Sequence, residues 1–182
     1  MTFSALVRSL GRSRLTEELL AKLTQTHELN LNGLARLPKG LVASALAQTR
    51  QQHLCVITAT LEEAGRWAAQ LEAMGWATVQ FYPTAESSPY EAFDLEAEMT
   101  WGQLQVLAEL LDSKQSIAVI ATERSLQPHL PPVAAFRPFC INLRKGMDYS
   151  LETLSRQLAA LGYDRVNLVE TEGQWSRRGD IV

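Results

Sequence analysis

The hydrophobic and polar positions of the chain follow two periods that alternate along its length. Short continuous apolar runs at residues 53–59 and 116–122 are typical of strands buried on both faces. Between them, apolar residues recur every three or four positions, most clearly at residues 61–75 and 96–111, and this spacing predicts helices. Strands that alternate with helices predict an α/β fold in which helices flank a parallel sheet.

Weaker patterns predict the remaining elements of this α/β region. Leucines at helical spacing between residues 4 and 25 predict two short helices that break at Gly11. The stretch HELNLNGL, residues 27–34, is interpreted as a short strand, and residues 38–52 are interpreted as a helix. A further strand is predicted at residues 76–82, after Gly75, which is placed to end the preceding helix.

Four prolines between Pro128 and Pro138 interrupt the pattern and indicate a linker or domain boundary. Beyond them the sequence predicts a strand at residues 139–146, a helix at 150–162 and a strand at 164–171. The last residues, 172–182, are interpreted as the turn and second arm of a hairpin.

The predicted organisation therefore has three parts. Residues 1–28 are N-terminal helices of unknown role, residues 29–137 form the α/β domain, and residues 138–182 begin a second, α+β domain that is truncated. The chain ends at Val182 inside a predicted strand, so we expect a piece of a longer protein. An unpaired strand edge would then promote self-association of the truncated chain.

Composition and charge narrow the possible functions. The hydrophobic fraction of 46% is sufficient for a core, and the net charge of −3 gives no indication of a nucleic-acid-coating protein. Cys55 and Cys140 lie far apart, which fits buried, reduced cysteines in a cytoplasmic protein. No apolar run approaches the ~20 residues that span a bilayer, so we expect no membrane partner. Scattered histidines and unaccompanied acidic residues predict no metal site and no cofactor.

The stretch LNGLARLPKGLVASALAQ, residues 31–48, has the outline of a phosphate-binding loop without its chemistry. A functional loop has the pattern G-x-x-x-x-G-K-[ST], in which the lysine reaches the outer phosphates and the hydroxyl holds Mg²⁺. Here Gly33 and Gly40 are too far apart, Lys39 precedes the second glycine, and Leu41 replaces the hydroxyl. We therefore expect a degenerate nucleotide loop with a structural role only.

The C-terminal stretch GQWSRRGDIV contains Trp175, Arg177 and Arg178 within four positions. Tryptophan and arginine are enriched at the energetic centres of protein interfaces. In a strand, Trp175 and Arg177 would point one way and Arg178 the other. Composition alone leaves two interpretations open, a partner-binding hairpin and an ordinary surface.

Taken in order, four stretches resemble the N-terminal part of bacterial transcription-repair coupling factors, which is similar there to the excinuclease subunit UvrB. They are GLARLPKGLVASALA; YPTAESSPYE; the stretch from LRKGMDYS to RRGDIV; and the Arg178–Gly179 pair within it. The resemblance covers roughly residues 29–182. It implies a degenerate P-loop NTPase-like domain followed by the start of a UvrA-binding domain.

The resemblance also implies a function. The family's N-terminal module docks UvrA, the damage-recognition protein of nucleotide excision repair, and Arg178 falls on the family's UvrA-contacting arginine. Gly179, Trp175 and Arg177 are its neighbours in the implied site. Other domains of the family's full-length proteins bind RNA polymerase and drive ATP-dependent translocation on DNA, so this segment is expected to be non-catalytic.

Two alternatives from other functional classes remain open at the level of sequence. The first is an active P-loop ATPase or helicase fragment, against which the residues at Lys39, Gly40 and Leu41 argue. The second is a UvrB-type DNA-binding module, in which an aromatic-rich β-hairpin inserted in the first domain holds the DNA. The sequence between Thr60 and Tyr90 has no room for such an insertion.

Overall fold

The computed structural model describes residues 2–83, 94–126, 130 and 132–182. The chain divides into two compact units, Met1–Leu130 and Pro131–Val182, which we call the first and second units. The first unit contains a parallel sheet with helices on both faces, and the second contains one longer helix and a short pair of strands.

Two short helices open the first unit, as the leucine spacing predicts. Helix α1 spans Phe3–Gly11 and α2 spans Arg14–Thr26. Ser13 separates them, because its hydroxyl accepts a hydrogen bond from the backbone N–H of Thr16 and so caps α2. Gly11 has a packing role, since a Cβ there would lie 2.9 Å from the hydroxyl of Thr49 in the next helix.

The strand predicted at residues 27–34 is not formed. His27 adopts the left-handed conformation, with φ of 57°, and ends α2. The Thr26 hydroxyl then donates to the carbonyl of Glu28, so a local side-chain bond competes for the backbone group that a strand would use. Helix α3, Arg36–Thr49, follows after a turn at Asn32 and Gly33 and agrees with the helix predicted from the sequence.

The sheet of the first unit contains three parallel strands in the order β1-β3-β2. Strand β1 spans Leu54–Thr58, β2 spans Val79–Phe81 and β3 spans Ala118–Thr122. Helix α4, Leu61–Ala73, connects β1 to β2, and helix α5, Asp94–Asp112, connects β2 to β3. The predicted α/β class, a parallel sheet flanked by helices, is confirmed.

Helix α4 shows why these elements could be predicted. Its N-cap is Thr60, whose hydroxyl accepts a hydrogen bond from the N–H of Glu63 at 3.2 Å. The helix ends before Gly75, which has a φ of +88° and needs no side chain where Ser4 approaches closely. Both ends of α4 therefore follow from local sequence.

Strand β3 forms the centre of two hydrophobic clusters, and all five of its residues are buried. The cluster on one face of the sheet combines β3 with α1, α3, α4 and Trp76, and the cluster on the other face combines β3 with Tyr82 and α5. Trp76 is 6% exposed and its indole N–H donates to the Ser44 hydroxyl at 2.9 Å. The buried indole N–H of Trp76 therefore has a hydrogen-bond acceptor within this core.

Among the described residues, strand β1 pairs with β3 alone, and the side chains on one of its faces are exposed. Leu54 and Val56 pack against the helical cluster, whereas Cys55 is exposed and Ile57 is 57% exposed. The prediction that Cys55 is a core residue is therefore wrong. The apolar run alone could not distinguish an edge strand from a central one. Partial desolvation still raises the pKa of the Cys55 thiol.

The second unit begins with a short helix α6, Val133–Phe136, and one 3₁₀ turn, Arg137–Phe139. Helix α7, Leu151–Ala160, is capped by Ser150 and confirms the helix predicted there. Two short strands follow, β4 at Asp164–Arg165 and β5 at Gln174–Trp175.

Two strand predictions in the second unit are wrong. Residues 140–144 have no regular structure, so the strand predicted at 139–146 is not formed. Strands β4 and β5 pair in parallel, so the predicted antiparallel hairpin arm is also wrong. The side-chain oxygen of Gln174 accepts hydrogen bonds from the N–H groups of Glu170 and Thr171, which hold the connection that returns the chain to the start of β4.

The open edge of β1 leads to a prediction about self-association. The N–H of Leu54 donates to the carbonyl of Ile117, the residue before β3. Because the backbone N–H and C=O groups of successive strand residues point to opposite sides, those of Cys55 and Ile57 point away from β3, toward the edge of the sheet. Their apolar side chains are exposed there too. We expect association through this edge, and Ile57→Lys should shift the chain toward monomer, because a lysine on an edge strand opposes pairing.

Sedimentation velocity over a range of concentrations measures this association. Leu15→Lys is the matched control, since Leu15 is 51% exposed but lies on α2. A wild-type chain that stays monomeric at high concentration would contradict the prediction, as would equal behaviour of the two lysine variants.

Candidate partner-binding site

The residues after β5 form a tight turn that presents an arginine. The N–H of Arg178 donates to the carbonyl of Ile181 at 3.0 Å, and the N–H of Ile181 donates back to the carbonyl of Arg178 at 3.2 Å. Gly179 has a φ of +62°, as the first central position of a type II′ turn requires. A hairpin-like geometry exists here, but it is confined to residues 178–181.

The two neighbouring arginines differ in what their side chains contact. The Arg177 Nε donates to the carbonyl of Gly179 at 2.9 Å, so this side chain is held against its own turn. Arg178 is exposed, and its guanidinium has no hydrogen-bond or ion-pair partner among the residues that the structure describes. Gly179 is also exposed, and no atom lies within 4 Å of the position that a Cβ would take. The turn therefore offers a free arginine beside an open backbone.

Trp175 is placed differently from the other predicted site residues. Its side chain is 7% exposed, so almost none of its surface is available to a partner. Arg165 lies directly opposite it in the register of β4 and β5, with its guanidinium carbon 5.5 Å from the centre of the indole ring. This distance is within the range of a cation–π contact.

Arg165 is a candidate site residue that sequence analysis missed. It is exposed and lies on β4, beside the strand that leads to the Arg178 turn. An antiparallel hairpin was expected here, and the parallel register that places Arg165 opposite Trp175 has no signal in the local sequence. The presence of arginine and tryptophan in neighbouring predicted strands was the one available indication.

The second unit also exposes two large apolar side chains, each three residues along the chain from one of these arginines. Leu168 is 66% exposed in the loop between β4 and β5, and Ile181 is 74% exposed at the end of the turn. Side chains of this kind beside arginines are typical of protein interfaces, where an apolar centre is combined with a polar rim.

The degenerate nucleotide loop is divided between a turn and a helix. Gly33 lies in an exposed turn with a φ of +75°, whereas Lys39 and Gly40 lie within α3. Gly40 is buried, and a Cβ there would lie 2.9 Å from the methyl carbon of Met74 and 3.1 Å from the Trp67 ring. This glycine therefore allows α3 to approach α4, and it does not contribute to a loop around phosphates.

The carboxyl ends of the parallel strands, where α/β proteins commonly bind ligands, carry hydroxyls that are already bonded. Thr58 at the end of β1 donates to the carbonyl of Thr60 at 3.1 Å. Ser125 donates to the carbonyl of Thr122 at 2.8 Å, and the Thr122 hydroxyl accepts from the N–H of Ser125. The hydroxyls of these three residues stabilise the local turns.

Several predicted features cannot be located in the structure. The loop YPTAESSPYE lies mostly outside the described residues, as do Glu86 and Glu91, two of the acidic residues that no histidine or cysteine accompanies. Over the part of the chain that is described, no cluster of three or more histidine, cysteine or acidic residues could hold a metal ion. No helix in the described ranges has the length and apolarity needed to cross a membrane.

The second unit corresponds to a known class of domain. Residues 141–182 match the family model described as UvrB interaction domain. The match includes helix α7, the β4–β5 pair and the Arg178–Gly179 turn.

Comparison with whole proteins gives one consistent result. The chain is 31% identical over 149 residues to the transcription-repair-coupling factor of Mycobacterium tuberculosis, which covers 78% of this chain and 12% of that protein. It is 27% identical over 153 residues to the factor of Bacillus subtilis, which covers 84% of this chain and 13% of that protein. The resemblance inferred from the sequence motifs is confirmed: the chain resembles an N-terminal region of transcription-repair-coupling factors, and it spans 12–13% of the length of these relatives.

The packing of Gly40 generates a prediction about stability. Gly40→Ala should be less stable than Gly65→Ala by ~1–3 kcal/mol, because both changes improve helix propensity but only the methyl group at position 40 would crowd the buried Met74 side chain and the Trp67 ring. Gly65→Ala is the matched control, since Gly65 is an exposed glycine of α4 with open space around it. That control should stabilise the helix by ~0.5–1 kcal/mol.

Urea unfolding midpoints of the two alanine variants measure this difference. Equal stability of the Gly40→Ala and Gly65→Ala variants would show that the approach of α3 to α4 does not depend on this glycine.

Proposed function

We propose that this segment is a non-catalytic docking module of a transcription-coupled DNA repair factor. In this proposal it binds UvrA and so recruits nucleotide excision repair to stalled RNA polymerase. The observation that carries the proposal is the match of residues 141–182 to the UvrB interaction domain, which includes the exposed turn at Arg178 and Gly179. The similarity to transcription-repair-coupling factors supports the cellular role.

The chemistry of the turn fits a partner that presents a carboxylate. The guanidinium of Arg178 is a planar fork of donors that can pair with both oxygens of a carboxylate. Its backbone is held on both sides by the pair of hydrogen bonds with Ile181, so less conformational entropy is lost on binding. Gly179 leaves room for the partner's backbone to approach.

The neighbouring residues have graded roles in this site. Arg177 is secondary, because its Nε already donates to the carbonyl of Gly179. Arg165 adds a second exposed guanidinium on the adjacent strand. The small exposed area of Trp175 favours a supporting role over direct contact.

The first unit is, in this proposal, a P-loop NTPase-like domain that has lost its nucleotide site and serves as a platform. The positions of Lys39 and Gly40 within α3, and the packing of Gly40 against Met74, support this interpretation. The segment then needs no cofactor. RNA polymerase, DNA and ATP would be bound by other domains of a longer, cytoplasmic protein.

Two other functions are weaker candidates. An ATPase would require phosphate-binding groups, and the hydroxyls of Thr58 and Ser125 are engaged in local bonds. A UvrB-type DNA-binding module would require a hairpin insertion, and the described chain passes from β1 through α4 directly to β2. A DNA-binding assay at several salt concentrations would identify the second alternative, because phosphate contacts make affinity fall with salt.

The first functional prediction concerns UvrA affinity. Arg178→Ala should weaken binding by at least about thirtyfold, because losing one partner of a buried charged pair costs ~2–5 kcal/mol. Arg177→Ala is the matched control and should cost clearly less, since its side chain is bonded to its own turn. Both arginines are exposed, so neither change should alter the fold.

Calorimetric titration of purified UvrA into the wild type and the two variants measures these affinities. If Arg178→Ala binds as tightly as the wild type, the assignment of this residue is wrong. If the wild type itself does not bind UvrA, the proposed function is wrong for this segment.

The second functional prediction concerns nucleotides. The chain should neither bind ATP with micromolar affinity nor hydrolyse it, because Gly33 and Gly40 are too far apart, Lys39 precedes the second glycine and Leu41 has no hydroxyl. Calorimetry with Mg²⁺-ATP is the direct measurement. Micromolar binding that is lost in Lys39→Ala would contradict the prediction and favour the ATPase alternative.

A further inference from the structure

The turn between α2 and α3 contains an asparagine followed by a glycine, Asn32 and Gly33. The sequence has four asparagines, and Asn32 alone precedes a glycine, whereas Asn30, Asn142 and Asn167 each precede a leucine. The side-chain carbonyl carbon of an asparagine can reach the backbone nitrogen of the next residue. A glycine leaves that nitrogen unshielded because it has no Cβ, so the sequence distinguishes Asn32 from the other asparagines.

The structure leaves both of these groups free. Asn32 and Gly33 are exposed, and no atom lies within 4 Å of the position that a Cβ of Gly33 would take. Within the described residues, no hydrogen bond engages the side-chain amide of Asn32 or the backbone N–H of Gly33. A reaction between the two groups therefore requires no hydrogen bond of the fold to break.

Asn30 provides a comparison in the same loop. Its Nδ2 donates to the carboxylate of Glu28 at 3.0 Å, so its side-chain amide is held. The next residue, Leu31, is half-buried and has a branched side chain beside its own nitrogen. Two asparagines that lie two positions apart thus differ in both of the features that control this reaction.

We infer that Asn32 is a modification site at which the chain deamidates spontaneously to aspartate and isoaspartate, with water as the only co-reactant. The nitrogen of Gly33 loses its proton to water and forms a bond to the side-chain carbonyl carbon of Asn32. The bond from this carbon to Nδ2 breaks, and the amide nitrogen takes a proton from water and leaves as ammonia. The product is a succinimide ring.

Water then opens the ring at one of its two carbonyl carbons. If the bond from the Gly33 nitrogen to the side-chain carbonyl carbon breaks, the product is aspartate in a normal backbone. If the bond from this nitrogen to the main-chain carbonyl carbon breaks, the product is isoaspartate, whose backbone continues through the former side chain. Either product changes a neutral amide to a carboxylate, so the net charge goes from −3 to −4.

The surroundings of the turn do not oppose this new charge. Helix α3 begins without a side-chain hydrogen bond from its N-cap, Ala35, and its first turn contains Arg36 and no acidic residue. Negative charge is favourable near the N-terminus of a helix. The site lies in the first unit and its chemistry needs no partner, so it does not depend on the proposed function.

The experiment is an incubation of the full 182-residue chain at neutral and at mildly alkaline pH. Trypsin then releases residues 23–36, a peptide that contains both Asn30 and Asn32, and mass spectrometry locates the converted residue. We expect loss of the Asn32 amide, faster at the higher pH because the attacking nitrogen must lose a proton, while the Asn30 amide persists. An intact Asn32, or equal loss at the two positions, would overturn the inference.

The same incubation in urea measures what the fold contributes. The folded and unfolded chains should lose the Asn32 amide at similar rates, since no hydrogen bond of the fold protects it. If the unfolded chain loses this amide and the folded chain keeps it, the fold protects the site and the inference is wrong.

Two variants complete the test. Asn32→Gln must close a larger ring, so a protein-isoaspartate methyltransferase should label the aged wild type and leave the aged variant unlabelled. Asn32→Asp should elute from an anion-exchange column with the acidic form of the aged wild type and keep the wild-type unfolding midpoint. Equal labelling of Asn32→Gln, or a lower midpoint in Asn32→Asp, which would show that the fold engages the amide, would overturn the inference.

Discussion

The complete burial of β3 is the constraint on which the first unit depends. Helices pack against both faces of β3, and a strand pairs with it on each side. The positions of β1, β2, α4 and α5 therefore depend on β3. This strand also fixes the limits of the core. Where α5 covers Val119 and Ala121 of β3, this face of the sheet is closed, whereas the same face is exposed at Cys55 and Ile57 of the neighbouring strand β1.

Local patterns predicted those elements whose limits are set by local bonds. Helix α4 begins at a threonine cap and ends at a glycine, and α7 begins at a serine cap, so both follow from nearby residues. Strands β1, β2 and β3 were all predicted from their apolar runs, although only β3 is completely buried. The failures come in part from strand pairing, which joins residues that are far apart in the sequence. Residues 27–34 lack a paired strand, and the exposure of Cys55 depends on which strand lies in the centre of the sheet.

The features of the candidate site also divide into those that local sequence predicts and those that depend on contacts between distant residues. The Arg178–Gly179 turn could be found from a short stretch of sequence, because a two-residue turn with glycine at its first central position is a local structure. The role of Gly40 could not, because it depends on the distance between α3 and Met74. Nor could the contact between Arg165 and Trp175, which depends on a parallel register that contradicts the expected hairpin. These two findings change how the motifs are interpreted, since the second glycine of the predicted loop is a packing residue and a predicted contact residue, Trp175, is almost fully buried.

The central claim is that the second unit carries a partner-binding surface and that residues 31–48 bind neither this partner nor a nucleotide. Hydrogen exchange of the backbone amides, measured by mass spectrometry with and without UvrA, tests both halves at once because it resolves the chain into short peptides. The account predicts slower exchange in peptides that cover residues 164–181 when UvrA is added, and no change in residues 31–48 with either UvrA or Mg²⁺-ATP. Protection of residues 31–48 by ATP, or unchanged exchange at residues 164–181 in a chain saturated with UvrA, would contradict it.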